Sequence, residues 1–201
     1  MTVNRRTQAE RSAATRSALI AAARPLFATR GFGGVGTETI VRSAGVTRGA
    51  LYHQFADKTG LFAAVFEAVE QEVMDRIATR VAGAQQPDAL AALRIGAQAW
   101  LEACTDAEVH RIVLIEGPAV LGWARWREVG MRYGLGLVEG ILQHAVSTSQ
   151  IPSQPINALA HMLIGAIDEA ALYVAEAPDP NAARAEALAV VERLIASLAA
   201  G

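Results

Sequence analysis

Residues 37–55 restrict the possible folds of this chain more than any other segment. Two short helical patterns, 37–44 and 48–55, are separated by Gly45, Val46 and Thr47. The chain has to reverse at Gly45, and glycine tolerates a positive φ without steric cost. Thr47 is a good N-cap because its hydroxyl can accept from free backbone N–H groups. The segment therefore predicts a helix-turn-helix unit, whose helices are wedged together by Val46, Leu51 and Phe55.

Helical periodicity predicts an all-α protein of about nine helices. Hydrophobic residues make up 52% of the chain, which permits a sizeable core. Alanine is abundant, and no useful length shows the alternation of a half-buried strand. We predict a flexible arm over residues 7–16 and a kink at Pro25 in the first helix. Residues 85–87 are predicted to form a loop. The predicted helices are 14–30, 37–44, 48–55, 58–81, 88–103, 107–116, 120–147, 155–176 and 180–199.

Charge is distributed unevenly along the chain. Residues 1–60, here called the head, contain nine Arg or Lys and three acidic residues, which is a net charge of +6. The whole chain carries −2, so residues 61–201, here called the body, carry −8. A basic head on an acidic body favours a polyanionic partner at one end only. Scattered solvated charges are the alternative, and charge alone does not choose between the two.

The outer face of the second short helix has residues that suit DNA. At about 100° per residue, Leu51 and Phe55 point inward. Arg48 can donate two hydrogen bonds to guanine in the major groove, and Tyr52 can donate to a phosphate. Lys58, at the next helix start, can neutralise another phosphate. Each residue alone is more simply a surface residue, but together in the basic head they favour DNA. The outer face consists of Arg48, Gly49, Tyr52 and His53.

Residues 17–66 resemble the DNA-binding region of TetR-type transcriptional regulators. The resemblance is carried by Leu26-Phe27, Arg30-Gly31-Phe32, Ile40-Val41, Ala44-Gly45-Val46-Thr47, Leu51-Tyr52-His53-Gln54-Phe55 and Lys58 with Leu61. It implies a homodimer with an N-terminal DNA-binding head and a C-terminal helical body that holds a small-molecule pocket. Gly36 departs from the pattern, since the family usually has Ser or Thr there. The residues implied to face DNA are Thr37, Thr47, Arg48, Gly49, Tyr52, His53 and Lys58.

The last two predicted helices are the expected dimer interface. Residues 158–175 combine small and apolar side chains, and the final helix has an apolar stripe. Two such helices from each subunit could form a four-helix bundle. Burial of the same stripe within one subunit is the alternative. The expected interface residues are Leu163, Ile164, Ile167, Ala171, Leu194 and Leu198.

Residues 113–142 are the expected wall of an effector pocket. An apolar cavity with a few polar anchors suits a small hydrophobic or aromatic effector. Aromatic residues at this helical spacing are more often ordinary core, which is the alternative. The expected lining residues are Trp100, Cys104, Trp123, Trp126, Tyr133 and Leu137.

The same sequence argues against several other classes of protein. It has no G-x-S-x-G elbow, P-loop, dinucleotide fingerprint or zinc spacing, so we expect no catalysis, cofactor or metal. The one cysteine cannot form an internal disulfide, and the N-terminus lacks an apolar signal core. The most apolar stretch, 158–167, is too short to span a bilayer, so we expect a cytoplasmic protein without a membrane partner.

Three functions remain open at this point. The first is a regulator, most often a repressor, that binds a palindromic operator in double-stranded DNA and is released by a small molecule. The second is a DNA-binding regulator without a ligand, controlled by a protein partner or by concentration. The third and least favoured is an enzyme, which would need a chance pairing of Glu116 with His144 or His161.

Overall fold

The fold consists of helices alone over the part of the chain that the structure, a computed structural model, describes: residues 7–84 and 88–199. The all-α prediction is therefore confirmed. The predicted loop 85–87 lies outside the described residues. The helices are α1 Gln8–Arg30, α2 Thr37–Ala44, α3 Arg48–Gln54, α4 Lys58–Gly83, α5 Ala89–Ala103, α6 Ala107–Val109, a π-helix His110–Glu116, α7 Gly117–Leu121, α8 Trp123–Ser147, α9 Ile156–Glu176 and α10 Pro180–Ser197.

Helix α1 begins six residues earlier than the sequence pattern predicted. Thr7 N donates to Glu10 Oε2 at 2.6 Å, and Glu10 N donates to Thr7 Oγ1 at 3.2 Å. This capping box satisfies N–H groups that a helix start leaves free, and so stabilises the early start. The prediction of a flexible arm over residues 7–16 is therefore wrong. The helix continues through Pro25 to Arg30.

The turn between α2 and α3 has the predicted geometry. Gly45 has φ 65° and ψ 30°, which is the left-handed region, and its N–H donates to the carbonyls of Val41 and Arg42. Thr47 caps α3, accepting from Ala50 N at 3.2 Å. The predicted wedge is also present, because Val46 is partly buried while Leu51 and Phe55 are buried in the core.

Helix α4 belongs to both parts of the molecule. Its first turns pack against α1, where Phe62 makes an edge contact with Phe27 at 5.3 Å between ring centroids. Its later turns pack against α5 and α8. Residues 61–66 are all buried, so the helix is enclosed on every side there, and from Val69 to Ile77 the buried side chains follow one stripe.

Residues 107–121 differ most from the sequence prediction. The predicted helix 107–116 is a three-residue α6 followed by a π-helix, and α7 then begins at Gly117 instead of the chain leaving the helix there. Pro118 lacks the N–H that would donate to the preceding turn, so regular α-helical bonding is interrupted there. Gly117 is closely packed, since a Cβ there would lie 2.8 Å from Trp126 Cδ1. Trp126 Nε1 donates to Val113 O at 2.8 Å and locks the segment against α8.

A second, smaller core lies in the body among the ends of α5, α8, α9 and α10. Its buried residues are distinct from those of the larger core, which joins side chains of the head and α4 with others from α5, the π-helix, α8, α9 and α10. Its buried residues are Ala89, Leu90, Leu93, Ala97, Leu142, Ala145, Ile151, Ala160, Leu163, Val191 and Ile195.

We expect Phe62→Ala to lower the free energy of unfolding by about 3–5 kcal/mol, because it empties a fully buried aromatic site between α1 and α4. Urea unfolding at a fixed protomer concentration measures this loss. Ile115→Ala is the control, since Ile115 is 47% exposed and its truncation should cost about 1 kcal/mol or less. Equal losses in the two variants would contradict the assignment of Phe62 to the shared core.

Candidate nucleic-acid interface and body cavity

Helix α3 presents a polar face to solvent. Arg48, Gly49, Tyr52 and His53 are exposed, as is the capping residue Thr47. A Cβ at Gly49 would meet only Thr47 Oγ1, at 3.9 Å, so the backbone is open to close approach from outside. Thr37, in the first turn of α2, is partly buried. The structure thus brings the residues of α3 together on one accessible surface.

Arg48 is held across the two helices of the motif. Arg48 Nη1 lies 3.2 Å from Glu38 Oε1 of α2, and both side chains are more than 60% exposed. The guanidinium carbon lies 5.6 Å from the centroid of the Tyr52 ring. An ion pair this exposed contributes little to stability. Arg48 can therefore exchange it for a base edge at small cost.

Lys58 has partners that the sequence did not predict. Its Nζ donates to the carbonyls of Phe32 at 2.8 Å and Val35 at 3.0 Å, and it lies 4.0 Å from the Phe32 ring centroid. The ammonium group therefore holds the loop between α1 and α2 against the start of α4. Since an ammonium has three N–H donors, one remains for a phosphate.

The end of α3 is fixed by α1. Arg16 Nη1 donates to Gln54 O at 3.2 Å, and its guanidinium carbon lies 4.4 Å from the Phe55 ring centroid. Gln54 Nε2 donates to Ser12 Oγ at 2.8 Å. These partners are about forty residues apart in sequence. No local pattern indicates such contacts, and sequence analysis missed them.

An apolar cavity lies in the body between α4, α5, α8 and α9. Its volume is about 90 Å³. Trp100 and Leu137 line it, as the sequence analysis expected. Trp126 instead lines a smaller adjoining space. The remaining three expected residues do not line the cavity: Cys104 is buried, Tyr133 packs against the larger core and Trp123 is 58% exposed.

One end of this cavity is acidic, which sequence analysis missed. Glu70 is only 3% exposed, and burial together with the charge of Asp168 raises its pKa to about 8. Burial also raises the pKa of Asp168 to about 7, against the lowering effect of Arg127. A signal for Glu70 was present, because it interrupts the apolar stripe between Phe66 and Val73.

Two polar contacts join the head to the body. Glu116 Oε1, from the π-helix, accepts from Phe32 N at 3.0 Å. Gly31 has φ 70°, and a side chain there would collide with the same carboxylate. Arg24 of α1 donates to both carboxylate oxygens of Glu108, at 2.9 and 2.6 Å, and to Glu72 at 2.7 Å. The loop before α2 is therefore tied to the segment that packs on α8.

The side chains that commonly bind metal ions do not cluster in the described part of the chain. Within residues 7–84 and 88–199, no group of three or more His, Cys, Asp or Glu side chains could hold a metal ion.

An exposed recognition helix on a small head, joined to a helical body, defines a helix-turn-helix transcriptional regulator. Residues 19–65 match the family model for bacterial regulatory proteins of the tetR family. Residues 90–198 match the model for a tetracyclin repressor-like C-terminal domain. The chain belongs to the TetR family of transcriptional regulators.

Individual relatives agree with this assignment. A TetR-family transcriptional regulator from Pectobacterium atrosepticum is 33% identical, with a TM-score of 0.84 over 96% of this chain and 97% of that one. The Transposon Tn10 TetC protein of Escherichia coli is 25% identical over 162 residues, 81% of each chain. The structure of RolR in complex with resorcinol has the same fold, with a TM-score of 0.75 and 21% identity over 96% of this chain and 93% of that one.

We expect Arg48→Ala and Tyr52→Ala each to abolish sequence-specific DNA binding, because they remove the donors on the exposed face of α3. The fold should be retained, since neither side chain is buried. Fluorescence anisotropy with a specific and a scrambled duplex measures the loss. Arg76→Ala, an exposed arginine of the body, is the charge-matched control. Specific binding that survives both α3 substitutions would show that the recognition surface lies elsewhere.

Proposed function

We propose that the protein is a homodimeric repressor that binds a palindromic operator and leaves it when a small molecule fills the body cavity. The observation that carries this proposal is the course of α4. Lys58 at its start holds the loop before α2, while Glu70, Met74 and Ile77 further along line the cavity. A ligand that displaces the cavity-lining turns of α4 would thereby reposition the head.

The energetic requirement for such release is a difference in ligand affinity between two head positions. A ligand shifts the equilibrium only by that difference. In a dimer the two recognition helices have to enter successive major grooves, about 34–36 Å apart. A small change in the spacing of the heads would therefore lower operator affinity. The resorcinol bound to RolR supports a small molecule in this fold.

Dimerisation is proposed through exposed faces of α9 and α10. Helix α9 is long and apolar enough to cross a membrane by composition, yet only 22% of its most apolar window is buried in the protomer. It contains Asp168 and Glu169, which favours a protein partner over lipid. Two of the expected interface residues, Leu163 and Ala171, are buried within the protomer. Ile164 and Ile167 line the cavity. Leu198 is partly buried. The large hydrophobic side chains that α9 and α10 expose are Met162, Tyr173, Val190 and Leu194.

Leu194→Glu should convert the dimer to a monomer, because it places a charge within the apolar face of α10. Leu194 is 46% exposed in the protomer, so folding should be retained. Light scattering after size-exclusion chromatography gives the mass, and operator affinity should fall with it. Glu192→Ala, two residues away on another side of α10, is the control. A dimer that persists in Leu194→Glu would move the interface away from this face.

Glu116→Ala should loosen the loop before α2, because the Phe32 N–H loses its acceptor. We expect amide exchange in residues 31–36 to accelerate about tenfold or more, as a hydrogen bond to a charged group implies. Glu116→Gln keeps an acceptor oxygen and should restore most of the protection. Hydrogen exchange with mass spectrometry measures both variants. Unchanged exchange in Glu116→Ala would contradict the role of this contact in joining head and body.

Selection from a pool of random duplexes on the purified full-length protein tests the function itself. We expect a palindromic consensus whose half-sites lie about one helical turn apart. The selection is run near physiological salt, where non-specific binding is weak. The consensus duplex then serves as the probe for release by candidate effectors. If no sequence is enriched, the proposal of a sequence-specific regulator is contradicted.

A further inference from the structure

The cavity in the body is lined mainly by apolar side chains, together with two carboxyl groups. Among the described residues that line it, only Glu70 and Asp168 are charged, and both are acidic. Their neighbours are Leu, Ile, Val, Met, Ala and Gly side chains together with Trp100. A buried charge in such surroundings is costly unless it is paired. The walls therefore suit a hydrocarbon, while either carboxyl group ionises readily only beside a positively charged partner.

Glu70 has no such partner within the protomer. More than nine-tenths of the surface of Glu70 is buried. Its Oε2 atom is buried as well and makes no hydrogen bond. The indole Nε1 of Trp100, which lines the same space, is likewise buried and unpaired. Gly130 on α8 leaves room beside Glu70, since a Cβ there would lie 3.7 Å from its Oε1. The unpaired acceptor Oε2 of Glu70 and the unpaired donor Nε1 of Trp100 thus belong to two residues that line the same cavity.

The charges around Glu70 distinguish it from Asp168. Burial raises the pKa of Asp168 on α9 and the positive charge of Arg127 on α8 opposes this in part, whereas burial and the repulsion of Asp168 both raise the pKa of Glu70. The thiol of Cys104, after α5, stays neutral because burial and the two carboxyl groups raise its pKa. Arg127 therefore offsets part of the charge of Asp168. The charge of Glu70 is the one left for a ligand.

We propose that this cavity binds a lipophilic primary amine, whose ammonium group pairs with the Glu70 carboxylate while its hydrocarbon part lies along the apolar walls. This inference rests on the proposed function, because it takes this cavity as the effector site. An ammonium group donates to the free Oε2 atom of Glu70 in a charge-assisted hydrogen bond. A carboxylate or phosphate ligand would instead meet two acidic groups. With a neutral ligand, Glu70 gains no counter-charge and its carboxyl group keeps its proton below about pH 8.

The pairing predicts a specific dependence of affinity on pH. The pKa of Glu70 in the free protein is raised to about 8, so below that pH the carboxyl group must lose its proton before it pairs with the ammonium group. A primary alkylamine resembles lysine and stays protonated up to about pH 10. Amine affinity should therefore rise by about tenfold per pH unit at pH values well below 8 and level off above it. Asp168 loses its proton near pH 7, which favours the cation further.

Three probes of equal chain length separate the possible ligand classes: octylamine, 1-octanol and octanoate. Calorimetry on the full-length dimer at pH 6, 7, 8 and 9 measures their affinities. We expect octylamine to bind more tightly than the other two probes at pH 8 and 9, and its affinity to fall as the pH drops below 8. The affinity of 1-octanol should be lower and nearly independent of pH, and octanoate should bind least.

Glu70→Gln keeps the shape of the side chain and removes the charge. It should weaken octylamine at pH 8 by about tenfold or more and abolish the pH dependence, while 1-octanol binds as before. The variant should fold, since it removes a buried group whose ionisation opposes folding as the pH rises toward 8. Glu169→Gln removes an exposed carboxylate from the same region and should leave octylamine binding unchanged.

The measured outcomes separate this inference from the proposed function. Stronger binding of 1-octanol or octanoate, a flat pH profile for octylamine, or full affinity in Glu70→Gln would overturn the amine site. Operator release is measured independently with the selected duplex. Release by a neutral or anionic compound that fills the cavity would support the regulator and overturn the amine. Octylamine binding that depends on Glu70 but releases no operator would support the amine and contradict release through this cavity.

Discussion

Burial of one stripe of α4 is the interaction on which the rest of the structure depends. Phe62, Phe66 and Val69 fill the centre of the larger core, while Val73 and Ile77 extend the same stripe into the body. Because one continuous helix supplies all of these side chains, the head cannot pack independently of the body. The hydrophobic effect that stabilises the fold therefore also provides the mechanical link that a TetR-family regulator needs.

Polar contacts determine how firmly that link is held. The bidentate contact of Arg24 with Glu108, and the hydrogen bond from Phe32 N to Glu116, join α1 and its following loop to the segment before α8. Lys58 holds the same loop from the other side. Because protein interiors are close-packed, we expect a shift of α4 or of the π-helix to be passed on to these contacts.

The carboxyl groups at the acidic end of the cavity are an exception to the apolar packing of α4. Glu70 occupies a position on the α4 stripe where an apolar side chain would pack without penalty, and its raised pKa reflects the cost of its burial. A functional site is where such a departure from local consistency is expected. The proposed amine site gives the unpaired Glu70 carboxylate a partner. It also locates ligand recognition on the helix that reaches the head.

The sequence by itself determined the helices, the turn at Gly45 and the exposed face of α3, because capping, periodicity and glycine conformation act between residues close in the chain. It also indicated Trp100 and Leu137 as cavity residues. It missed the start of α1, although the capping box of Thr7 and Glu10 is a local signal. It also missed the π-helix, which depends on the packing of Trp126. Only the tertiary structure decided that Lys58 holds a loop, that Leu163 and Ala171 lie inside the protomer, and that Glu70 faces an open cavity. Each of these depends on which distant helices meet, and that is a property of packing and not of local sequence.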